Sequence, residues 1–294
     1  VGKAFEQAST ECMIFIMEKN QEQQAIEVYE YYPRKELQFV KTVEKDFFSS
    51  LPNTIFNTII SPEEFLIIQK IQSKSTPLQA LATIKRGMEI GKNDIRENKK
   101  GLPTLLGEDV NPYGIEYQKT YCNPKHKEVL RLESLSTMPK VLVRRVANTL
   151  LATYDDQNYY FIKNLYGIIS NQIHLKALTG LLNSRLVRFF LKKYFTTKKE
   201  DIFPEIQVYQ LEQLPIKVLN LNEKQEKQTY EQLIILVEKL LDLQQKIAAA
   251  RVPQDKTLLN RVLEATERQL DNLVYQIYQL TSAEIAIIEK NITS

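Results

Sequence analysis

Two runs of apolar residues in heptad register constrain the C-terminal part of this chain more than any other feature. Tyr230, Leu233, Val237, Leu240, Gln244 and Ile247 recur at spacings of 3-4-3-4-3. Leu259, Leu263, Thr266, Leu270, Leu273, Ile277 and Leu280 recur at 4-3-4-3-4-3. Such spacing lines one side of a helix with a continuous apolar seam. The break between the runs, Arg251-Val252-Pro253, is short. Two helices of about 20–25 residues, roughly 30–37 Å each, are therefore expected to fold back as an antiparallel hairpin. Thr281-Ser282-Ala283-Glu284 is a capping box that starts a last short helix. The seam leucines are core, so the hairpin's role is spacing or docking.

Upstream the pattern is mixed. ECMIFIM (11–17) and AIEVYEYY (25–32) are rich in β-branched and aromatic residues and flank a polar stretch, which predicts a hairpin. LQFVKTV (37–43) is a candidate third strand. Residues 1–60 are too little to stand alone and are expected to end a preceding domain. Ser61-Pro62-Glu63-Glu64 reads as a helix start, with a capping serine, proline at the first position and acids in the first turn. Phe65, Ile68 and Ile71 supply its apolar stripe. Over 83–216 short strand-like and helical pieces alternate, with Gly87, Gly91, Gly101, Gly107 and Gly114 punctuating loops. KVLVRRVA (140–147), TLLATY (149–154) and YYFI (159–162) are strand-like, with a turn over 155–158. One long helix is expected over 175–194, buried along Leu178, Leu182, Leu186 and Phe189.

Charge is unevenly distributed. The formal net charge is only +3, but residues 119–199 hold fifteen Lys and Arg against four acids. That segment carries +11 and the rest −8, a footprint suited to a polyanion. A membrane span needs about 20 apolar residues, and no apolar run approaches this. The chain begins with Val1 and shows no signal-like segment, so it is expected to be a cytoplasmic fragment of something longer.

Several chemistries find no support. There is no GxxxxGK[ST], GxGxxG or HExxH. Glu97-Asn98-Lys99 has the ExK form of a nuclease, but its nearest upstream acid, Asp94, is three residues away. Cys122 and His126 are at most half a metal site, completed only by the distant Cys12 and His174. Asn111-Pro112-Tyr113-Gly114 resembles the NPPY motif that grips a flipped base, but it lacks the second proline and any upstream glycine-rich loop. A turn is the expected structure there.

Five ordered stretches resemble a known family: RGMEIGKND (86–94), PTLLGEDVNPYGIEY (103–117), KVLVRRVANTLLATYD (140–155), LTGLLNSRLVRFFLKKYF (178–195) and FPEIQVYQLEQLPI (203–216). Together they are similar to the TaqI-like C-terminal specificity domain of adenine-specific DNA methyltransferases, including fused type II restriction–modification enzymes. LDNLVYQIYQLTSAEIAIIE (270–289) resembles the closing segment of the same proteins. The resemblance implies an α/β (α+β) target-recognition domain over 61–218 and a helical hairpin spacer over 219–294. Residues 1–60 would be a β-rich remnant of an upstream methyltransferase domain. The implied partner is double-stranded DNA. S-adenosylmethionine would bind in the missing upstream domain, and no catalytic or metal residue carries over to this chain. A separate type I-like specificity subunit, or a protein-interaction scaffold built on the hairpin, is the alternative.

Phosphate contacts give affinity and base contacts give sequence preference. Arg86, Lys92 and Asn93 lie in a loop with Gly87 and Gly91. Arg144 and Arg145 are adjacent on a strand-like run and are expected to point to opposite faces, one toward DNA and one toward Asp155 or Asp156. Arg185, Arg188 and Lys192 form a basic stripe on the expected long helix, and Lys198 and Lys199 a basic loop.

Overall fold

In a computed structural model, the described residues are 16, 25–30, 37–44, 60–91, 94–96, 101–123, 125–195 and 205–292. They fall into two compact units, one reaching Phe65 and the other beginning at Leu66. In the first, β1 (Ala25–Glu30) pairs antiparallel with β2 (Gln38–Glu44). Register shifts between Val28 and Tyr29, and the rings of Tyr29 and Phe39 meet edge to face at 5.6 Å. Apart from Ile16, the strand expected over 11–17 lies outside the described residues; β1 pairs with the segment expected as a third strand.

Helix α1 (Pro62–Ser73) begins as its sequence dictates. The Glu64 N–H donates to Ser61 Oγ at 3.2 Å, and the Ser61 N–H donates back to Glu64 Oε2 at 2.9 Å. Phe65, Ile68 and Ile71 are buried along one face. Short elements follow: β3 (Thr76–Pro77), α2 (Leu78–Leu81), β4 (Thr83–Arg86), β5 (Ile95–Arg96), β6 (Leu102–Leu105), β7 (Val110–Asn111), β8 (Gly114–Ile115) and β9 (Tyr121–Cys122). Then come α3 (Lys127–Ser136), β10 (Lys140–Arg144), β11 (Ala152–Asp155), β12 (Tyr160–Phe161) and β13 (Leu165–Ile169).

Two four-stranded sheets organise this unit. The first runs β11-β10-β13-β4 and is antiparallel throughout. The second runs β12-β6-β9-β5, with β12 parallel to β6. The expected turn over 155–158 forms, with Asn158 at φ 61° and the Asp155 carboxylate accepting from the N–H groups of Gln157 and Tyr159. The chain does not return along β11, however. It enters the second sheet as β12 and then rejoins the first as β13. Helix α3 covers the second sheet, with Val129, Leu132 and Leu135 in one core with Leu105, Leu142 and Phe161.

The single helix expected over 175–194 is two: α4 (Leu175–Asn183) and α5 (Arg185–Phe195). Ser184 breaks them apart, with extended backbone at φ −64°, ψ 150°. Its hydroxyl accepts from the Val187 N–H at 3.3 Å, so it caps the second helix. Asn183 is drawn to the sheet, where its amide accepts from Ala152 N–H at 2.9 Å and donates to Ala152 C=O at 2.7 Å.

After α6 (Val208–Glu212) and β14 (Pro215–Ile216), which pairs with β3, the chain is helical. Helices α7 (Lys224–Ala249) and α8 (Pro253–Ile277) run antiparallel, with Gln232 and Leu236 facing Gln269, Leu273 and Gln276. Leu233, Val237, Leu240 and Leu270 are buried, and Gly180 of α4 lies against Val237 and Leu270. Near the turn the seam is only half-buried, at Leu259 and Leu263. Thr281 and Glu284 exchange hydrogen bonds to cap α9 (Ser282–Ile292). No helix among the described residues is long and apolar enough to cross a membrane.

Candidate nucleic-acid interface

Three arginines converge on the main chain where β4 ends and where β12 leads into β13. Arg86 closes β4, opposite Tyr166 of β13. Its Nε donates to the carbonyl of Lys163 at 3.4 Å, and its Nη1 lies 3.1 Å from Glu89 Oε1. Arg145 follows the last residue of β10. Its Nη1 donates to the same Lys163 carbonyl at 3.4 Å. Arg131 of α3 donates from Nη2 to the carbonyls of Arg86 and Gly87, at 3.4 and 3.1 Å. The Lys163 side chain is exposed beside them.

Backbone packing explains why so much charge gathers here. A side chain at Gly87 would place Cβ 2.1 Å from the Ile162 carbonyl oxygen, so the strands touch directly. The Met88 N–H donates to Phe161 C=O, and the Lys163 N–H donates to Met88 C=O, each at 2.9 Å. The loops carrying Arg86 and Lys163 are thereby stitched into one surface.

Arg144 and Arg145 have different surroundings. Arg145 pairs with Glu205, and its Nε is buried with no hydrogen-bond partner among the described residues. Asp155 is not its partner: that carboxylate lies 2.6 Å from Lys140 Nζ in an ion pair with both side chains 0% exposed. Burial pushes the Lys140 ammonium below its ordinary range, and Asp155 opposes that shift. Arg144 donates from Nε to the Val146 carbonyl at 3.0 Å, and no acid is paired with it among the described residues. Of the two, Arg144 is the better placed to meet an external anion.

Residues of the basic stripe of α5 reach toward α8 and α9. The Arg185 N–H donates to Asp271 Oδ1 at 2.8 Å, its Nε lies 3.3 Å from Asp271 Oδ2, and its Nη1 pairs with Glu289. Glu289 also accepts from the Tyr275 hydroxyl at 2.6 Å. Arg188 Nε is buried without a hydrogen-bond partner among the described residues, near Tyr113, Glu267 and Asp271. Lys192 Nζ donates to the Asn291 carbonyl at 2.9 Å. Burial raises the Asp271 carboxyl to about 6, although the Arg185 N–H and the Arg185 and Arg188 charges pull it down. Burial raises Glu267 as well. This face joins α5 to α8 and α9, and Lys192 remains exposed on it. Lys92, Asn93, Lys198, Lys199 and the Glu97-Asn98-Lys99 stretch lie outside the described residues.

The sequence reading omitted Arg131 and Lys163. Arg131 sits on α3, whose Val129, Leu132 and Leu135 at spacing 3 were a legible apolar stripe. Asn111-Pro112-Tyr113-Gly114 is a two-residue turn between β7 and β8. Tyr113 adopts φ 57°, a conformation unusual for a bulky residue, and its N–H donates to Ala152 C=O at 3.1 Å. Its ring is buried, so this segment presents no open NPPY-like cradle. Among the described residues no three His, Cys, Asp or Glu side chains gather in a way that would hold a metal ion.

Residues 102–216 match the family model of the TaqI-like C-terminal specificity domain, in agreement with the resemblance seen in the sequence. RM.MjaORFECS2P of Methanocaldococcus jannaschii, named provisionally as a type II restriction enzyme and methyltransferase, is 30% identical over 177 residues, 54% of this chain and 15% of that protein. The type II methyltransferase M.BstVI of Geobacillus stearothermophilus is 28% identical over 160 residues, 51% of this chain and 22% of that protein. The chain thus spans less than a quarter of either relative. Among solved structures, the HsdS subunit from Thermoanaerobacter tengcongensis aligns with a TM-score of 0.42 at 12% identity, covering 74% of this chain and 50% of that one. A type I restriction–modification S subunit from M. genitalium aligns with a TM-score of 0.40 at 16% identity, covering 60% and 41%.

Proposed function

We propose, from the specificity-domain match over residues 102–216, that this chain recognises a short sequence in double-stranded DNA for a restriction–modification methyltransferase. The observation that carries the reading is the coincidence of this domain with the +11 segment, whose Arg131 and Arg145 meet Arg86 at the joined loops of β4, β10 and β12. Duplex DNA is a dense line of phosphates, and a rigid basic surface gains affinity from it by releasing counterions.

In this reading Arg86, Arg144 and Lys163 face the duplex, and Lys92 and Asn93 are further DNA contacts. Arg145 shapes the loop through Glu205, with base or phosphate contact secondary. Lys198 and Lys199 are phosphate contacts. Arg185, Arg188 and Lys192 hold the domain to the helices. Helices α7 and α8 act as a spacer, and residues 1–60 are the end of a methyltransferase domain in the same chain. That domain would supply adenine methylation with S-adenosylmethionine, and no residue of this chain is assigned to the transfer.

Fluorescence anisotropy with labelled duplexes tests the reading. The chain is expected to bind at low salt, to weaken steeply as salt rises, and to prefer one sequence over scrambled competitors. No duplex affinity at low salt would overturn it.

A further inference from the structure

The main chain that leaves β4 is gripped on two sides by different means. On one side it lies flush against strand residues: Gly87 touches Ile162, and Met88 exchanges main-chain hydrogen bonds with Phe161 and Lys163. On the other side two side chains of α3 hold it. Arg131 Nη2 donates to the carbonyls of Arg86 and Gly87, while its Nε and Nη2 lie 2.9 Å from Glu128 Oε2. Glu128 Oε2 closes the clamp by accepting the Glu89 N–H at 3.2 Å. The planar guanidinium suits this task, because its donors leave in fixed directions toward two carbonyls and one carboxylate. The pair therefore reads three main-chain groups of the segment that carries Arg86. Side chains at 43% and 17% exposure contribute little to global stability through such a pair, so the clamp's local geometric effect stands out.

We propose that Arg131 and Glu128 are positioning residues for DNA recognition: they fix the direction in which Arg86 and the following loop leave the sheet, and so set sequence discrimination more than affinity. The proposal rests on the duplex-binding reading above.

Charge alone makes the opposite prediction, which gives the test its sign. Glu128 is an acid paired with Arg131, so removing it should tighten binding to every sequence if only electrostatics matters. The experiment incubates the chain with a random-sequence duplex pool, sequences the retained fraction, and measures bulk-pool affinity by anisotropy. Wild type is expected to enrich one motif. Glu128→Ala is expected to bind the bulk pool at least as well and to lose discrimination by about tenfold at one or more motif positions. Glu128→Gln also removes the charge but keeps an acceptor oxygen, so it should restore the motif. Arg131→Lys keeps the charge without the fork and should blur the motif as Glu128→Ala does. All three should melt near wild type.

An unchanged motif in Glu128→Ala and Arg131→Lys would overturn the proposal, as would equal loss in Glu128→Ala and Glu128→Gln. Loss of folding in both Glu128→Ala and Arg131→Lys would make the clamp structural and overturn it too. A wild-type chain that enriches no motif would instead bring down the DNA reading itself, and this proposal with it.

Discussion

Asp271 caps the start of the helix that bears Arg185: the Arg185 N–H donates to Asp271 Oδ1 at 2.8 Å, and Arg185 Nε lies 3.3 Å from Asp271 Oδ2. A carboxylate on α8 thus receives both the main chain and the side chain of α5. Because the carboxylate is buried, its pKa rises from 3.8 to about 6. A raised acid binds its proton more tightly when folded, so its contribution is fully present below about pH 4 and is lost as pH rises through 6. At about 1.4 kcal/mol per unit, the ceiling on that loss is about 3 kcal/mol. Melting temperature measured across this window should fall less steeply in Asp271→Asn than in wild type. Identical profiles would show that Asp271 does not titrate there.

The Lys140–Asp155 pair joins β10 to β11 with both side chains fully buried. Asp155→Ala would leave an ammonium in the core with the Ser136 and Met138 carbonyls as its remaining hydrogen-bond partners among the described residues. Breaking a buried pair from one side costs about 3–5 kcal/mol. Chemical denaturation should show a loss of that size, smaller in the double variant Lys140→Met with Asp155→Leu. A single variant as stable as wild type would contradict the assignment.

Leu240 lies fully buried in α7. Leu240→Asp would place an unpaired carboxylate there, at a cost of several kcal/mol. Circular dichroism should show loss of the helical melt, and an unaltered melt would mean the two helices do not depend on this seam.

Local patterns made much of this fold legible, and long-range partners did not. The capping boxes at Ser61 and Thr281 each lie within a few residues of sequence, and each forms. The break at Ser184 was missed because Leu182 and Leu186 keep helical phase across it; only the pull of Ala152 on Asn183 and the Ser184 cap reveal it. The parallel pairing of β12 with β6 joins residues 56 positions apart, as with Tyr160 and Thr104, beyond any periodicity. The candidate site shows the same division. Arg185 looks like a phosphate ligand when only its own helix is considered. Its acids, Asp271 and Glu289, come from elements 86 and 104 residues away. Arg131 escaped notice because its partners, apart from Glu128 on its own helix, are the main-chain carbonyls of Arg86 and Gly87, which carry no sequence signal.

The salt dependence of duplex binding by two triple variants tests most directly which basic face meets DNA. Each phosphate contact adds about 0.9 to the slope of log K against log salt. Arg86→Ala, Arg144→Ala and Lys163→Ala together should flatten that slope by up to about 3 while leaving the melt near wild type. Arg185→Ala, Arg188→Ala and Lys192→Ala together should lower the melting temperature, because they strip partners from Asp271, Glu289 and Asn291, and the slope of the folded fraction should stay unchanged. The reverse outcome, with the first slope unaltered and the second flattened, would contradict this account.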